Sequence, residues 1–233
     1  MLATYISQVQ RLLNDEQSQF YSTTDLTSFI NLARNTIAAQ SECLVYNGTL
    51  ATVNGTQTYG LSAITAPNAS LQNAINARSI RSIVSGIGAV LEVRPWQWFQ
   101  NYYLQGSNTT ATGVPTIWAM QNQGVSGNIW FWAIPNGTIL MSVEASWIPV
   151  PLVTDATPEA LSYPWTDAVQ YFASYMAYLN AQRSSDAQRM LQLYNAFMKS
   201  ARVGVTPEFT PGAFPMLKPL LSQPTPGGEG QLG

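Results

Sequence analysis

The sequence predicts an α+β protein: a helical domain of about four helices, built from both chain ends, carries an inserted antiparallel β module and an extended C-terminal tail. Three observations predict it. Apolar residues recur at helical spacing through residues 1–45 and again through 153–203. Between residues 46 and 152 the period shortens to two, punctuated by Asn-Gly, Gly and Pro. From residue 204 onward Pro and Gly are too dense for either period. These limits define an N-terminal helical hairpin (1–45), the inserted β module (46–152), a C-terminal helix pair packing on the hairpin (153–203) and the tail (204–233).

The opening "MLATYISQVQRLL" spaces Leu2, Ile6, Val9, Leu12 and Leu13 along one face of a helix over residues 2–14. A secretory leader needs a basic start and an unbroken apolar run, so the segment reads as a helix. "STTDLTSFINLARNTIAAQ" begins a second helix with Thr23 or Thr24 as N-cap and aligns Leu26, Phe29, Ile30, Ala33 and Ile37.

In the β module, Asn47-Gly48 and Asn54-Gly55 read as hairpin turns. "APNASLQNAINA" is a loop or short helical turn, and "SIRSIV" and "AVLEV" are strands about Gly86 and Gly88. "RPWQWFQNYYL" is a short helix that gathers Trp96, Phe99 and Tyr103. Then "PTIWAMQ", "NIWFWAI" and "TILMSVEASW" form three antiparallel strands. A two-residue turn at Asn136-Gly137 pairs Ile134 with Ile139, Trp132 with Met141 and Trp130 with Val143 on an apolar core face. Phe131 and Leu140 fall on the opposite, mixed face and are the candidate subunit or tail contacts.

Helical spacing returns in "YPWTDAVQYFASYMAYLNAQ", with Trp165, Val169, Phe172, Tyr175, Met176 and Leu179 as its stripe. "SSDAQRMLQLYNAFMKSARVG" is capped by Ser184 or Ser185 and carries Met190, Leu191, Tyr194, Phe197 and Met198. It ends in Lys199, Arg202 and Gly204, as helix C-termini prefer. The tail beyond keeps Phe209, Phe214, Met216, Leu217, Leu220 and Leu221, which a plain linker would not need. Such spaced anchors either order on a partner or strap the tail along its own subunit.

Composition narrows the function. Charged residues are 9% of the chain, against roughly 25% in ordinary soluble domains. Neutral polar surface desolvates more cheaply than ions, which points to an assembled protein. With no histidine there is no imidazole base, no histidine-dependent nucleophile and no histidine-ligated metal. Cys43 is alone and reads as a small buried hydrophobe. Glu92, Glu144 and Asp155 are the only carboxylates placed for glycosidase-like chemistry, and strand positions for the first two fit solvated side chains better. "SGIGAV" lacks the Lys-Ser/Thr ending of a phosphate loop. The net charge of −2, with Arg78 and Arg81 as the nearest approach to a basic patch, argues against tight nucleic-acid binding. No apolar run approaches the twenty or so residues that span a bilayer. The expectation is no enzyme, no cofactor, no metal and no membrane.

The order of elements resembles the adaptor, or head-completion, proteins of tailed bacteriophages. The likeness rests on "YSTTDLTSFINLARNTIAAQSECL" as second helix and on "SIRSIVSGIGAVLEVRPWQWFQNYY" as strand, hairpin and aromatic helix. It rests further on the Pro-punctuated strand run "GVPTIWAMQNQGVSGNIWFWAIPNGTILMSVEASWIPVPL" and on the helix pair "YPWTDAVQYFASYMAYLNAQRSSDAQRMLQLYNAFMKSAR". The chain departs from that pattern in the long "LSAITAPNASLQNAINA" and in its low charge.

The resemblance implies a structural virion protein at the portal vertex, present in the host cytoplasm during assembly. It would form a homo-oligomeric ring of about twelve copies joining the portal to the tail and nozzle proteins and lining the DNA ejection channel, with DNA passing unbound. It also implies that the tail is the arm toward the portal, with Phe209, Phe214, Met216, Leu217 and Leu220 as anchors. The alternative is a tail- or fibre-associated binding module using the β-region aromatics Trp96, Trp98, Trp130 and Trp132.

Overall fold

The computed structural model describes residues 1–104 and 111–205. Helices α1 (Leu2–Leu13) and α2 (Thr23–Ser41) lead into strands β1 (Val45–Ala51) and β2 (Thr58–Gly60) and the single turn α3 (Ala69–Gln72). Then follow β3 (Ile75–Val84), β4 (Glu92–Val93), α4 (Trp96–Phe99), β5 (Thr112–Gly113), β6 (Ile117–Gln121), β7 (Asn128–Trp132), β8 (Ile134–Pro135) and β9 (Leu140–Pro149). Two long helices close the described chain, α5 (Trp165–Asn180) and α6 (Ser184–Val205). The fold is α+β, with helices from both ends around a central β region, as the spacing predicts.

Helix α1 buries Leu2, Tyr5, Val9 and Leu13, one per turn. Helix α2 is capped by Ser22, one residue before the expected threonines: its hydroxyl accepts the Asp25 N–H at 3.1 Å. Between the two, Asp15 organises the connecting loop by accepting the backbone N–H groups of Gln19, Phe20 and Tyr21. Burial alone would raise its pKa, but the Tyr21, Gln19 and Phe20 N–H groups hold the carboxyl below its ordinary value.

Helix α5 packs against α1, α2 and α6. A helix hemmed in on three sides needs small residues, and its buried positions include Ala168, Ala173, Ser174 and Ala177. Of the stripe expected there, Trp165 and Val169 are buried, whereas Phe172 and Tyr175 are half-buried and Leu179 is exposed. Helix α6 buries Ala187, Met190, Tyr194, Met198 and Ala201, close to expectation, and runs through Gly204 to Val205.

Three strands, in the order β1-β9-β3, form an antiparallel sheet. A second sheet has the order β2-β7-β6-β4, with β4 parallel to β6, and β5 pairs in parallel with β8. The module is thus antiparallel in its main ladders and parallel in two short ones. Leu50, Ile83, Met141, Val143, Ala145 and Trp147 of the first sheet join Trp118, Ile129 and Phe131 of the second in one core that continues into the helices.

The expected hairpin between β7 and β9 does not form. Strand β7 pairs with β2 and β6, while β9 pairs with β1 and β3, so the chain crosses at Asn136-Gly137 from one sheet to the other. The pairings of Ile134 with Ile139, Trp132 with Met141 and Trp130 with Val143 are replaced by Ile117 with Trp132, Ala119 with Trp130 and Leu50 with Met141. Asn47-Gly48 is not a turn either, because it lies inside β1. A Cβ on Gly48 would come within 2.7 Å of both the Ile64 side chain and the Thr65 carbonyl, so glycine there serves close packing. Gly55, at φ 78°, does occupy a turn, but the turn joins β1 of one sheet to β2 of the other and closes no hairpin.

A buried ion pair fixes the helices to the end of β9. Arg34 is 1% exposed and Glu159 8%; the guanidinium donates from Nη2 to Oε1 at 2.8 Å and from Nε to both carboxylate oxygens at 3.1 Å. Its Nη1 reaches the Val150 carbonyl at 2.8 Å, and Glu159 also accepts the Leu161 N–H at 2.9 Å. Asn31 completes the clamp by bonding both the N–H and the carbonyl of Leu152.

Candidate assembly surface

The outer face of the second sheet is closed by aromatic residues. Helix α4 and the π-helical turn Gln100–Leu104 lay Phe99 and Tyr103 over Ile117 and Ala119, with Trp96, Trp130 and Trp132 at the margin. Trp96 meets Trp130 at 5.3 Å between centroids, and Tyr103 meets Trp132 at 4.6 Å. Strand β7 therefore has two apolar sides, one toward the main core and one under this layer. Phe131 is on the first, at 0% exposure, with its ring edge-on to Tyr59 at 5.7 Å. As a contact for another subunit Phe131 is corrected: it is interior.

Trp98 and Tyr102 stand outside this layer. They stack at 5.0 Å and 9°, while the Arg94 guanidinium lies 4.6 Å from the Trp98 centroid. Tyr103 also meets Trp98 edge-on at 5.4 Å, so the Trp98 ring is engaged by three neighbours. Both rings nevertheless remain partly exposed, and Arg94 is further held by an ion pair with Glu92.

Leu140 is 60% exposed, in keeping with its expected outward position. Around it the chain leaves Val53, Ile87 and Val90 uncovered. They belong together: Leu140 pairs with Ala51, Val84 bridges to Val90, and the backbone of Gly86 lies against the Leu140 carbonyl. An apolar rim therefore caps one end of the first sheet. Ile87 and Val90 were missed from sequence; the signal that could have found them is an apolar side chain set among the glycines of "SGIGAV", where it has little to pack against.

The remaining outer face of that sheet is neutral polar. Asn47, Thr49, Ala51 and Ser142 are exposed, and Glu144 sits half-buried between Asn47 and Ser82, accepting the Ser82 hydroxyl at 3.0 Å. Val45, Tyr46, Asn47, Ser82, Val84, Ser142 and Glu144 line a groove of about 420 Å³ there.

The three carboxylates singled out from sequence lie on separate elements with separate partners: Glu92 on Arg94, Glu144 on Ser82, and Asp155 on the N-terminal ammonium at 2.9 Å. Cys43 is only partly buried, and that burial raises its thiol pKa. Arg81 is paired with Glu42, and Arg78 lies apart beside Asn35, Thr36 and Ile148. Sequence reasoning missed Arg34 and Glu159, which belong to the clamp. No helix among the described residues is long and apolar enough to cross a membrane. Phe209, Phe214, Met216, Leu217 and Leu220 lie outside the described residues. The chain matches no protein-family model and no curated protein.

Proposed function

We propose that this chain is a structural subunit of the head-to-tail adaptor ring of a tailed bacteriophage virion, assembled in the host cytoplasm and seated between portal and tail proteins. The observation that carries the reading is the apolar rim of Leu140, Ile87, Val90 and Val53, left uncovered in a chain with only 9% charged residues. Such a rim is costly in a free monomer and finds its use when copies pack side by side. The order of elements supports the same reading, with terminal helices as one body and the β region inserted between them. In the ring, about twelve copies surround a passage whose thin supply of Lys and Arg lets DNA slide without retention. No catalysis is assigned to it.

The test is electron microscopy of the purified chain with and without portal. Rings are expected, and Leu140→Glu with Ile87→Glu should abolish them while the circular dichroism spectrum stays unchanged. Rings that survive both charges would remove the rim from the interface, and dispersed monomers with portal present would sink the adaptor reading.

The binding-module alternative retains one observation, the partial exposure of Trp98 and Tyr102. Ring-face stacking on a sugar has little left to use, since Trp98 is already engaged by Tyr102, Tyr103 and Arg94, and Trp130 and Trp132 lie against Trp96 and Tyr103.

A further inference from the structure

Three Asn-Gly pairs stand in the sequence, Asn47-Gly48, Asn54-Gly55 and Asn136-Gly137, each followed by Thr. An asparagine before glycine carries a latent reaction: the main-chain nitrogen of the glycine can attack the side-chain Cγ, unshielded by any Cβ of its own residue. Because the following residues are the same at all three, the fold decides which pair reacts.

At Asn47 the fold forbids it. The pair lies inside β1, where Thr49 turns its N–H and carbonyl to Thr65, so Gly48 faces β9 opposite Val143 in the ladder. Gly48 is also packed too closely against Ile64 and the Thr65 carbonyl for its backbone to turn. Asn54 is exposed, but its nucleophile is occupied: the Gly55 N–H donates to the Pro135 carbonyl at 2.8 Å, and the Thr56 N–H closes the turn onto the Val53 carbonyl at 3.0 Å. At Asn136 neither restraint exists. It is exposed, the Gly137 N–H has no hydrogen-bond acceptor among the described residues, and a Cβ on Gly137 would meet nothing within 4 Å. The pair is held away from the reacting atoms, by the Thr52 hydroxyl on the Gly137 carbonyl at 2.9 Å and the Asn136 N–H on the Gly113 carbonyl at 3.3 Å.

We propose that Asn136 is a site of spontaneous deamidation in the folded protein, with water as the only co-reactant. Hydroxide removes the Gly137 amide proton, the nitrogen bonds to Asn136 Cγ, and the Cγ–Nδ2 bond breaks. Nδ2 leaves as ammonia with a proton from water, which regenerates the hydroxide. Water then opens the cyclic imide at either carbonyl, giving Asp or the isoaspartyl linkage. In sum, one amide and one water become one carboxylic acid and one ammonia, with no oxidant or reductant. Both products carry a carboxylate in place of a neutral amide, and the isoaspartyl form also lengthens the main chain by one carbon. The change falls where the chain crosses from β8 to β9, beside the 52–55 segment that carries Val53 of the apolar rim, so a neutral turn acquires charge as the protein ages. The inference stands on main-chain geometry and does not require the adaptor reading.

Peptide mapping of the full chain held in mildly alkaline buffer tests it, with the same chain in denaturant as the reference. In denaturant the three pairs should react at similar rates. In the folded protein Asn136 should lead, Asn54 should lag it by roughly fivefold, the weight of one hydrogen bond, and Asn47 should stay intact longest. Asn54 reacting before Asn136, or one common rate in the folded chain, overturns the proposal. Gly137→Ala separates attack by the main-chain nitrogen from mere exposure. Its methyl meets open space at a φ outside the left-handed region, so thermal stability should be unchanged while modification at Asn136 is largely lost. Undiminished modification in that folded variant would assign the reaction to direct hydrolysis of the side-chain amide and overturn the proposal.

Discussion

The largest fully buried side chain of the helical half is an arginine, whereas across the β module the fully buried side chains are led by Phe99 and Phe131. Among the described residues the two buried charged side chains, Asp15 and Arg34, lie among the helices, and so does Glu159, the carboxylate that Arg34 needs. The β module instead buries rings and neutral hydroxyls such as Thr52 and Ser85. The difference teaches how each half holds its shape. Helices meeting at an angle, with α5 enclosed on three sides, are pinned by directional bonds from Arg34, Asn31 and Tyr194. Sheets already satisfied by their ladders need only volume between them, and aromatic side chains supply it.

That comparison breaks most sharply at two positions. Phe131→Ala should cost about 3 to 5 kcal/mol, read from the denaturant midpoint, because the ring is fully enclosed and its loss leaves a cavity. Arg34→Met should cost about the same for a different reason, since Glu159 would be left buried without its partner. The two are told apart by a second change. Adding Glu159→Leu to Arg34→Met should recover much of the loss, because an apolar pair can replace a buried ion pair at little cost. No polar partner exists whose removal would rescue Phe131→Ala. A double variant no more stable than Arg34→Met would mean that the clamp is not electrostatic in origin.

The same contrast explains how far the sequence could be read. The helices were legible because one face of each is core and the other solvent, so Val9, Ile30 and Met190 declare themselves by spacing. The limit came at α5, where Trp165 and Val169 are buried as spacing predicts but the rest of the buried side includes small residues, and hydrophobic spacing points to Phe172 and Tyr175 instead of Ala173 and Ala177. Strands were legible as strands, and β9 showed its inner face correctly through Met141, Val143 and Trp147. Their partners were not. Alternation tells which residues share a face and says nothing about which strand lies alongside, so Asn136-Gly137 looked like a hairpin turn although it carries the chain between sheets. Strand β7 compounded the difficulty by being apolar on both sides, which made Trp130 and Trp132 as good a core face as Ile129 and Phe131. Of the two residues singled out on the mixed face, Leu140 alone is exposed, because its strand has only one core face. Arg34 and Glu159, 125 residues apart, could be joined only by the fold.

The smaller test of the comparison is alkaline titration, to which a network of buried polar groups responds and a core of Phe and Trp does not. Tyr194, at the junction of α6 with the end of α2, is pushed up to about 12 by burial, against the lowering influence of Arg202. Its folded pKa lies above the unfolded value of about 10, so folding favours the neutral phenol. The contribution is whole below pH 10 or so and fades as pH rises toward 12, where the folded group also ionises. Tyr194→Phe removes the hydroxyl that donates to Gln40 and should cost about 1 kcal/mol at neutral pH. Tyr5, Tyr46 and Tyr103 are also raised by burial, so the difference between the two proteins is the quantity to follow rather than either curve alone. That difference should shrink from pH 10 upward, because only the native protein loses the contribution of Tyr194. A gap that stays constant to pH 12 would mean that the phenol is free to ionise in the folded state, and the contact between α6 and Gln40 would then be packing alone.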